Sequence, residues 1–407
     1  MRDLPSSFRL SGTRLHLDPH DDAFVQDPYP SYERLQAEAP VFYWEDYGLW
    51  CAAGFATVNA LLRDRRLGRE NRWGAPLTCG AERAHLADFD AVERHSLLER
   101  EPPVHTRLRA LVNKAFVSRQ VERLRPSIRS LAEELADGLQ PGDDLIARFA
   151  TPIPVAVISD MLGVPRDMAP RLLDWSHRMV AMYMHGRSRA DEDSANRAAA
   201  EFSRFLRELI AGQDRGRGDD LLSVLMAARD HGEKLSEDEL VTSVILLLNA
   251  GHEATVHQAG NAIATLLAQG GDPRRFFAST VQTTATVEEC LRFDAPLHMF
   301  TRFAYEPVDL GPVTLAPGQQ VGLLLGAANR DGAAFAEPHR FLPGRADQKN
   351  VTFGAGIHFC IGAPLARLEL QEALGVLFER HPGLALAGPP RYRDAYHFHG
   401  LERLIIA

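Results

Sequence analysis

The sequence predicts a mainly α-helical chain with small β-sheets beside the helices, organised as one domain, and three observations carry that reading. Apolar residues recur at three- and four-residue spacing over 105–117, 121–138, 198–211, 237–268, 283–293 and 364–380, the period of helices that bury one face. Extended pieces are short: 40–51, 299–304, 313–325 and 403–406, with Gly311, Pro317 and Gly318 as turn formers between them. No internal repeat, low-complexity tract or Ser/Gly linker interrupts the 407 residues, so a single domain over 1–407 is the simplest organisation.

Bulk properties narrow the function before any motif is read. The composition, 45% hydrophobic and 24% charged, is that of an ordinary folded protein. A net charge of -9 argues against general nucleic-acid binding, which needs an excess of Lys and Arg. Residues 1–10 carry Asp3, Pro5 and Ser6 where a secretory signal has a basic stretch and then an apolar run, so a cytoplasmic protein is expected. The most apolar stretch, 244–248, runs at once into Asn249, His252 and Glu253, far short of the ~20 apolar residues of a membrane span. Cys51, Cys79, Cys290 and Cys360 are far apart and spell neither a disulfide framework nor a zinc ribbon.

The elements follow in chain order. The helix at 105–117 sets His105 and Arg109 four apart on one face, and the helices at 121–138 and 198–211 carry no chemical motif. The helix from 237 opens with a capping box, Ser236 with Glu239, followed by Leu240, Val244, Leu247 and Leu248. Its pattern continues to about Gln269, a length of roughly 45 to 50 Å at 1.5 Å per residue. A polar break at 249–253 interrupts its middle, where buried polar groups need a reason. In the helix at 283–293, Glu289 and Arg292 stand three apart, close enough for an ion pair. Arg302 follows in the strand at 299–304.

The last helix, 364–380, has Pro364 in its first turn and is preceded by a glycine-rich loop containing Gly354, Gly356, Cys360 and Gly362. A cysteine where a loop enters a helix meets backbone N–H groups and the positive dipole end, which favour a thiolate over a thiol. The glycines let a flat, bulky group approach the backbone. The alternative is a small buried cysteine in a tight turn.

Phe353, Gly356, Cys360 and Gly362 follow the order Phe-x-x-Gly-x-x-x-Cys-x-Gly, which resembles the haem-binding signature of the cytochrome P-450 superfamily. The Glu289/Arg292 pair, the arginine in Phe341-Leu342-Pro343-Gly344-Arg345, the run Ala328-Asn329-Arg330-Asp331 and the terminal His399-Gly400-Leu401 stand at family-like positions, so the resemblance covers nearly the whole chain. It implies the cytochrome P-450 fold, haem b (iron protoporphyrin IX) as cofactor and Cys360 as the iron ligand. Phe353, Gly356 and Gly362 would shape the haem pocket. His105, Arg109, Arg302 and His358 would offer cations or donors to its two propionates.

Thiolate ligation favours O–O cleavage, so the implied reaction is monooxygenation: one atom of O2 enters a hydrophobic small organic substrate. Within the polar break, Ala250, Gly251 and Glu253 resemble the family's oxygen-side motif. Ala250 and Gly251 would open a groove for O2, and Glu253 would supply the acid. Ala254 stands where the family usually has a threonine that passes protons, and Thr255 lies about 100° further round the helix. A substrate hydroxyl filling that gap is the expectation, which suits a hydroxyl-bearing natural product. His252 falls on the side away from Ala250.

The resemblance bounds the pocket by 68–98, 175–185, 296–300 and 398–401, with Met179, Met182, Tyr183 and Met184 as adaptable apolar lining. The chain holds no flavin or iron–sulfur motif, so electrons are expected from an external ferredoxin and ferredoxin reductase, docking near Arg107, Lys114, Arg119 and Arg367. Two rivals remain, a peroxygenase using H2O2 directly and a non-catalytic haem sensor.

Overall fold

The computed structural model describes residues 3–73, 81–113, 116, 118–184, 186–212, 221–227, 234–346 and 349–407. Helices dominate and the strands are short, as the two periodicities require. The chain divides into two compact units, one formed by Met1–Gly68, Arg125–Ile153 and Ala254–Ala407, the other by Arg69–Leu124 and Pro154–Glu253. The division falls inside the long helix Glu237–Ala268.

The first unit holds a seven-stranded sheet in the spatial order Arg9–Ser11, Arg14–His16, Val41–Trp44, Leu49–Ala52, Gln320–Leu324, Met299–Ala304, Leu67–Gly68. Strand alternation sends neighbouring side chains to opposite faces. Leu323 packs with Val58, Leu61, Val351 and Ala355, whereas Leu324 packs with Phe24, Tyr32, Phe42 and Trp44. Gly322, in the same strand, has no room for a side chain: a Cβ there would lie 2.8 Å from the Cys51 sulfur and 2.9 Å from Leu49.

The helices of this unit that bear on the site are Arg125–Asp137, Thr280–Phe293 and Ala363–Arg380. The last buries Leu365, Leu368, Leu370, Leu374, Leu377 and Phe378. The expected helix at 121–138 is two pieces. Ser118–Glu122 ends in a turn in which Leu124 N–H donates to Val121 O at 2.9 Å, and a new helix starts at Arg125 with Pro126 in its first turn, a position that suits proline.

In the second unit the helices Val104–Asn113, Ala169–Val180 and Arg189–Gly212 accompany the first half of the long helix. Trp175 anchors this unit, its ring 5.0 Å from Phe202 and its indole N–H donating to Glu201 at 2.8 Å. The expected capping box is present: Ser236 N–H donates to the Glu239 carboxylate at 2.9 Å and Glu239 N–H to the Ser236 hydroxyl at 3.2 Å. The helix expected at 198–211 is the second half of Arg189–Gly212. Pro152–Leu162 escaped the periodicity argument because its apolar residues are not confined to one face. Among the described residues no helix is long and apolar enough to cross a membrane.

Candidate active site

Cys360 is half-buried and lies just before Gly362, the N-terminal cap of the Ala363–Arg380 helix. Its N–H donates to Phe353 O at 3.0 Å, which closes the loop, and Gly354 N–H donates to Val351 O at 2.8 Å. Gly354 and Gly356 have φ of +68° and +72°, in the left-handed region that favours glycine. At Gly356 a Cβ would also come 2.5 Å from the Leu62 carbonyl oxygen. Cys51 and Cys290 lie in different surroundings. Burial pushes both thiols up, assisted at Cys290 by Glu289 and Asp294. Of the three cysteines described, only Cys360 meets a helix N-terminus while keeping partial exposure, the setting that favours a thiolate.

A buried ion cluster fixes this loop from behind. Arg292 grips Glu289 with two bonds of 2.8 Å, and Arg345 Nε reaches the same carboxylate at 3.0 Å, which identifies the third member of the cluster. Arg292 also donates to Asn329 O at 2.8 Å and Pro338 O at 3.0 Å. Asn329 in turn donates to the Thr352 hydroxyl and accepts from Val351 N–H, both at 2.8 Å, and the Thr352 hydroxyl donates to Leu291 O at 2.7 Å. The guanidinium is therefore connected through one amide side chain to the residues that begin the cysteine loop. Buried charges persist only when satisfied in this way.

Around the loop, Phe353 is half-buried and lies under the Arg367 guanidinium, 4.6 Å from the ring centre, while Arg367 is ion-paired with Glu288. His358 is half-buried in the turn Gly356–His358. Arg302 is buried, with one nitrogen donating to Thr301 O at 2.8 Å. These residues accompany Cys360 in the first unit.

In the second unit, His105 is buried and Arg109 half-buried on one face of Val104–Asn113. Arg107 is tied to Glu239. Arg107 and Arg367 are each ion-paired with an acid of their own unit, Glu239 and Glu288, while staying partly exposed. Lys114, Cys79, His185, residues 74–80 and the Arg119 side chain lie outside the described residues. Met179 and Met182 are buried, while Tyr183 is exposed.

In the long helix, Ala250 is exposed and Ala254 half-buried, about 40° apart on the helix. Thr255 is buried, away from that face. Gly251 faces the Pro152–Leu162 helix, where a Cβ would meet Ile158 at 3.3 Å. Its small size therefore serves a close helix–helix approach. Glu253 points to His177, with its oxygen 3.2 Å from Nε2. Sequence spacing gave no sign of that pairing, because His177 belongs to a different helix.

A second feature unannounced by the sequence is buried in the first unit. Tyr29 and Tyr392 each donate to Asp294 at 2.6 Å, and His399 lies 3.4 Å from it. Burial would raise the Asp294 carboxyl, but His399 and the two tyrosines outweigh it and hold the group at about 2. His298 and His399 sit on adjoining segments, with ring centres 4.4 Å apart. Leu297 and Phe398, the bridged pair beside them, belong to the stretches expected to bound the pocket.

A thiolate-bound haem fits these residues. The sulfur stands at a helix N-terminus, glycines hold the loop that carries it, and Arg302 and His358 offer donors in the same unit.

Comparison with known proteins agrees with the geometry. The family model described as Cytochrome P-450 matches residues 281–381, the stretch from the Glu289/Arg292 pair through Cys360. The chain is 38% identical over 399 residues to Cytochrome P-450 107B1 of Saccharopolyspora erythraea, covering 94% of this chain and 96% of that protein. It is 36% identical over 381 residues to 6-deoxyerythronolide B hydroxylase of the same organism, covering 91% and 92%. The solved structure of the bacillaene polyketide synthase cytochrome PksS from Bacillus subtilis 168 superposes with a TM-score of 0.86 at 32% identity, covering 96% of this chain and 99% of that one.

Proposed function

The chain belongs to the cytochrome P-450 family and is a P-450 monooxygenase, and from that premise we propose that it uses O2 to hydroxylate or similarly oxidise a hydrophobic, hydroxyl-bearing natural product. The observation that carries the assignment of the centre is Cys360, half-buried before a helix N-terminus in a loop held by two left-handed glycines and backbone hydrogen bonds. Residues 1–407 are proposed to form one haem-thiolate domain, with haem b bound through Cys360.

When bound, the haem supplies reductive activation of O2, and the thiolate favours O–O cleavage. The protein's own part is to hold, orient and protonate. Phe353, Gly356 and Gly362 are proposed to shape the surface beside the sulfur. His105, Arg109, Arg302 and His358 are assigned to the two propionates, because buried carboxylates need cations or strong donors. Ala250 and Ala254 offer the oxygen side a small, apolar helix face.

Glu253 is assigned the proton supply. Its carboxylate is largely buried yet lies 3.2 Å from the ring of solvent-exposed His177, which suits it to receive a proton from outside. Ala254 has no hydroxyl to receive it, and buried Thr255 is on another face, so the acceptor is proposed to be a hydroxyl of the substrate or an ordered water. Two relatives support a natural-product substrate by name, one a 6-deoxyerythronolide B hydroxylase and one a bacillaene synthase component. Electrons are proposed to come from a ferredoxin and its reductase in the cytoplasm, docking near the partly exposed Arg107 and Arg367.

The test is spectroscopic. Carbon monoxide added to the dithionite-reduced protein is expected to give the long-wavelength Soret band of thiolate-ligated haem, and a stable haem-loaded preparation without it overturns the assignment. A compound library screened for the low- to high-spin shift then identifies the substrate class. Product formed with ferredoxin, reductase and O2, exceeding that formed with H2O2 alone, separates the monooxygenase from a peroxygenase.

A further inference from the structure

We propose that His177, His252 and Glu253 form a zinc-binding site, distinct from the haem and placed on the acid that supplies protons. His177 stands on the Ala169–Val180 helix and the other two on the long helix, within the second unit. One ligand atom from each lies within 4.8 Å of the others. Glu253 Oε2 is 3.2 Å from His177 Nε2 and 3.6 Å from His252 Nε2. Two ligands bound to Zn²⁺ at about 2.0–2.1 Å in tetrahedral geometry stand roughly 3.3 Å apart. The two histidine-to-carboxylate spacings bracket that value.

The tautomer of His252 agrees. Its Nδ1 lies 2.8 Å from the Leu248 carbonyl oxygen, which can only accept, so Nδ1 carries a hydrogen and Nε2 is the nitrogen turned to Glu253, 3.6 Å from its oxygen. A ring N–H held by a backbone carbonyl is the usual support of a metal-bound histidine. His177 is 54% exposed at its side chain, which gives an ion access from solvent. Two imidazoles and one carboxylate suit Zn²⁺, leaving a fourth position for water, and do not suit Mg²⁺ or Ca²⁺, which prefer an all-oxygen shell.

Among the described residues a second group of this kind, the fully buried Asp294 with His298 and His399, is unsuited to a dication. Both carboxylate oxygens already accept from tyrosines, and the Arg330 guanidinium lies 4.0 Å from the Tyr29 ring centre. Arg178, next to His177 in the chain, is engaged by Asp174, Ser194 and Glu201.

Binding needs nothing from the functional reading, but its consequence rests on it: zinc held by Glu253 takes that carboxylate out of proton delivery. Isothermal titration of the haem-loaded full chain with Zn²⁺ is expected to show one saturable equivalent, with no comparable binding of Mg²⁺. His177→Ala, a change at an exposed position, is expected to weaken zinc at least tenfold. His177→Cys, which keeps a ligand, is expected to retain it, and His252→Gln to lose it. Absence of the equivalent, or equal affinity in His177→Ala, which would assign the metal to histidines elsewhere, overturns the site. In turnover, zinc is expected to lower product and raise hydrogen peroxide release in wild type. Zinc bound with the stated dependence but without effect on product upholds the site and overturns the role given to Glu253.

Discussion

The cysteine loop and the middle of the long helix are both read as reactive surfaces, yet they are held in place by opposite means. The loop has no regular secondary structure to rely on. It keeps its shape through two left-handed glycines, a closing bond from Cys360 N–H to Phe353 O, and a chain of bonds running through Thr352 and Asn329 to the buried Arg292. At the helix centre the backbone is satisfied by the helix itself, so Ala250, Glu253 and Ala254 only decorate it. A change to the residues that brace the first region therefore disturbs structure and chemistry together, whereas a change in the second, or at the Cys360 side chain itself, can alter chemistry and leave structure intact.

The largest effect expected is at Cys360. Cys360→Ser should abolish the long-wavelength carbon monoxide band and the turnover, while the half-buried position keeps the fold. Circular dichroism alongside the spectrum checks both halves. A serine variant that retains the band would break the comparison at its root.

Next is the brace. Arg292→Ala leaves Glu289 buried with one guanidinium fewer, and removing one partner from a buried ion pair destabilises by about 3–5 kcal/mol. Denaturant titration should show that loss, or the variant should fail to accumulate in soluble form. Arg292→Lys should recover little, since an ammonium cannot reproduce the forked grip on both Glu289 oxygens together with the Asn329 and Pro338 carbonyls.

The glycines sharpen the contrast. Gly356→Ala forces a side chain onto a left-handed residue against a backbone carbonyl at 2.5 Å, and strain of this kind is on the order of 1–3 kcal/mol. Gly251→Ala meets only the Ile158 side chain at 3.3 Å, and inside a helix the exchange of glycine for alanine recovers up to about 1 kcal/mol of propensity. The midpoint of unfolding should fall clearly for the first and stay close to wild type for the second. Equal shifts would remove the distinction between a loop fixed by backbone and a helix that tolerates replacement.

The same contrast explains what the sequence made legible. The capping box at Ser236 and Glu239, the Glu289/Arg292 pair and the glycines around Cys360 could be read because each acts over a few residues of chain, where spacing implies geometry. The strand at 299–304 and the long helix at 237–268 were likewise placed with the bounds observed. His177 against Glu253, and Asp294 among Tyr29, Tyr392 and His399, could not be read. Their partners come from elements up to hundreds of residues apart, and their meeting depends on packing that carries no local period. The ion pairs of Arg107 and Arg367 are hidden from the sequence for that reason too: Glu239 and Glu288, which accept from them, lie 132 and 79 residues away.

The smallest structural effect, and the most informative about mechanism, is expected from Ala254→Thr. Ala254 is half-buried on a regular helix, so the substitution should change stability by no more than about 0.5 kcal/mol. Its effect should appear in coupling, and should depend on the substrate. With substrates lacking a suitable hydroxyl, the introduced threonine supplies the missing hydrogen-bonding group, so product per electron should rise and hydrogen peroxide release should fall. With a hydroxyl-bearing substrate the same group competes for a place already filled, and coupling should stay level or decline. Product yield and peroxide measured for wild type and variant across paired substrates decide the matter. Equal gains in both sets would show that the helix centre lacks a proton acceptor whatever the substrate, and the proposed part played by a substrate hydroxyl would be lost.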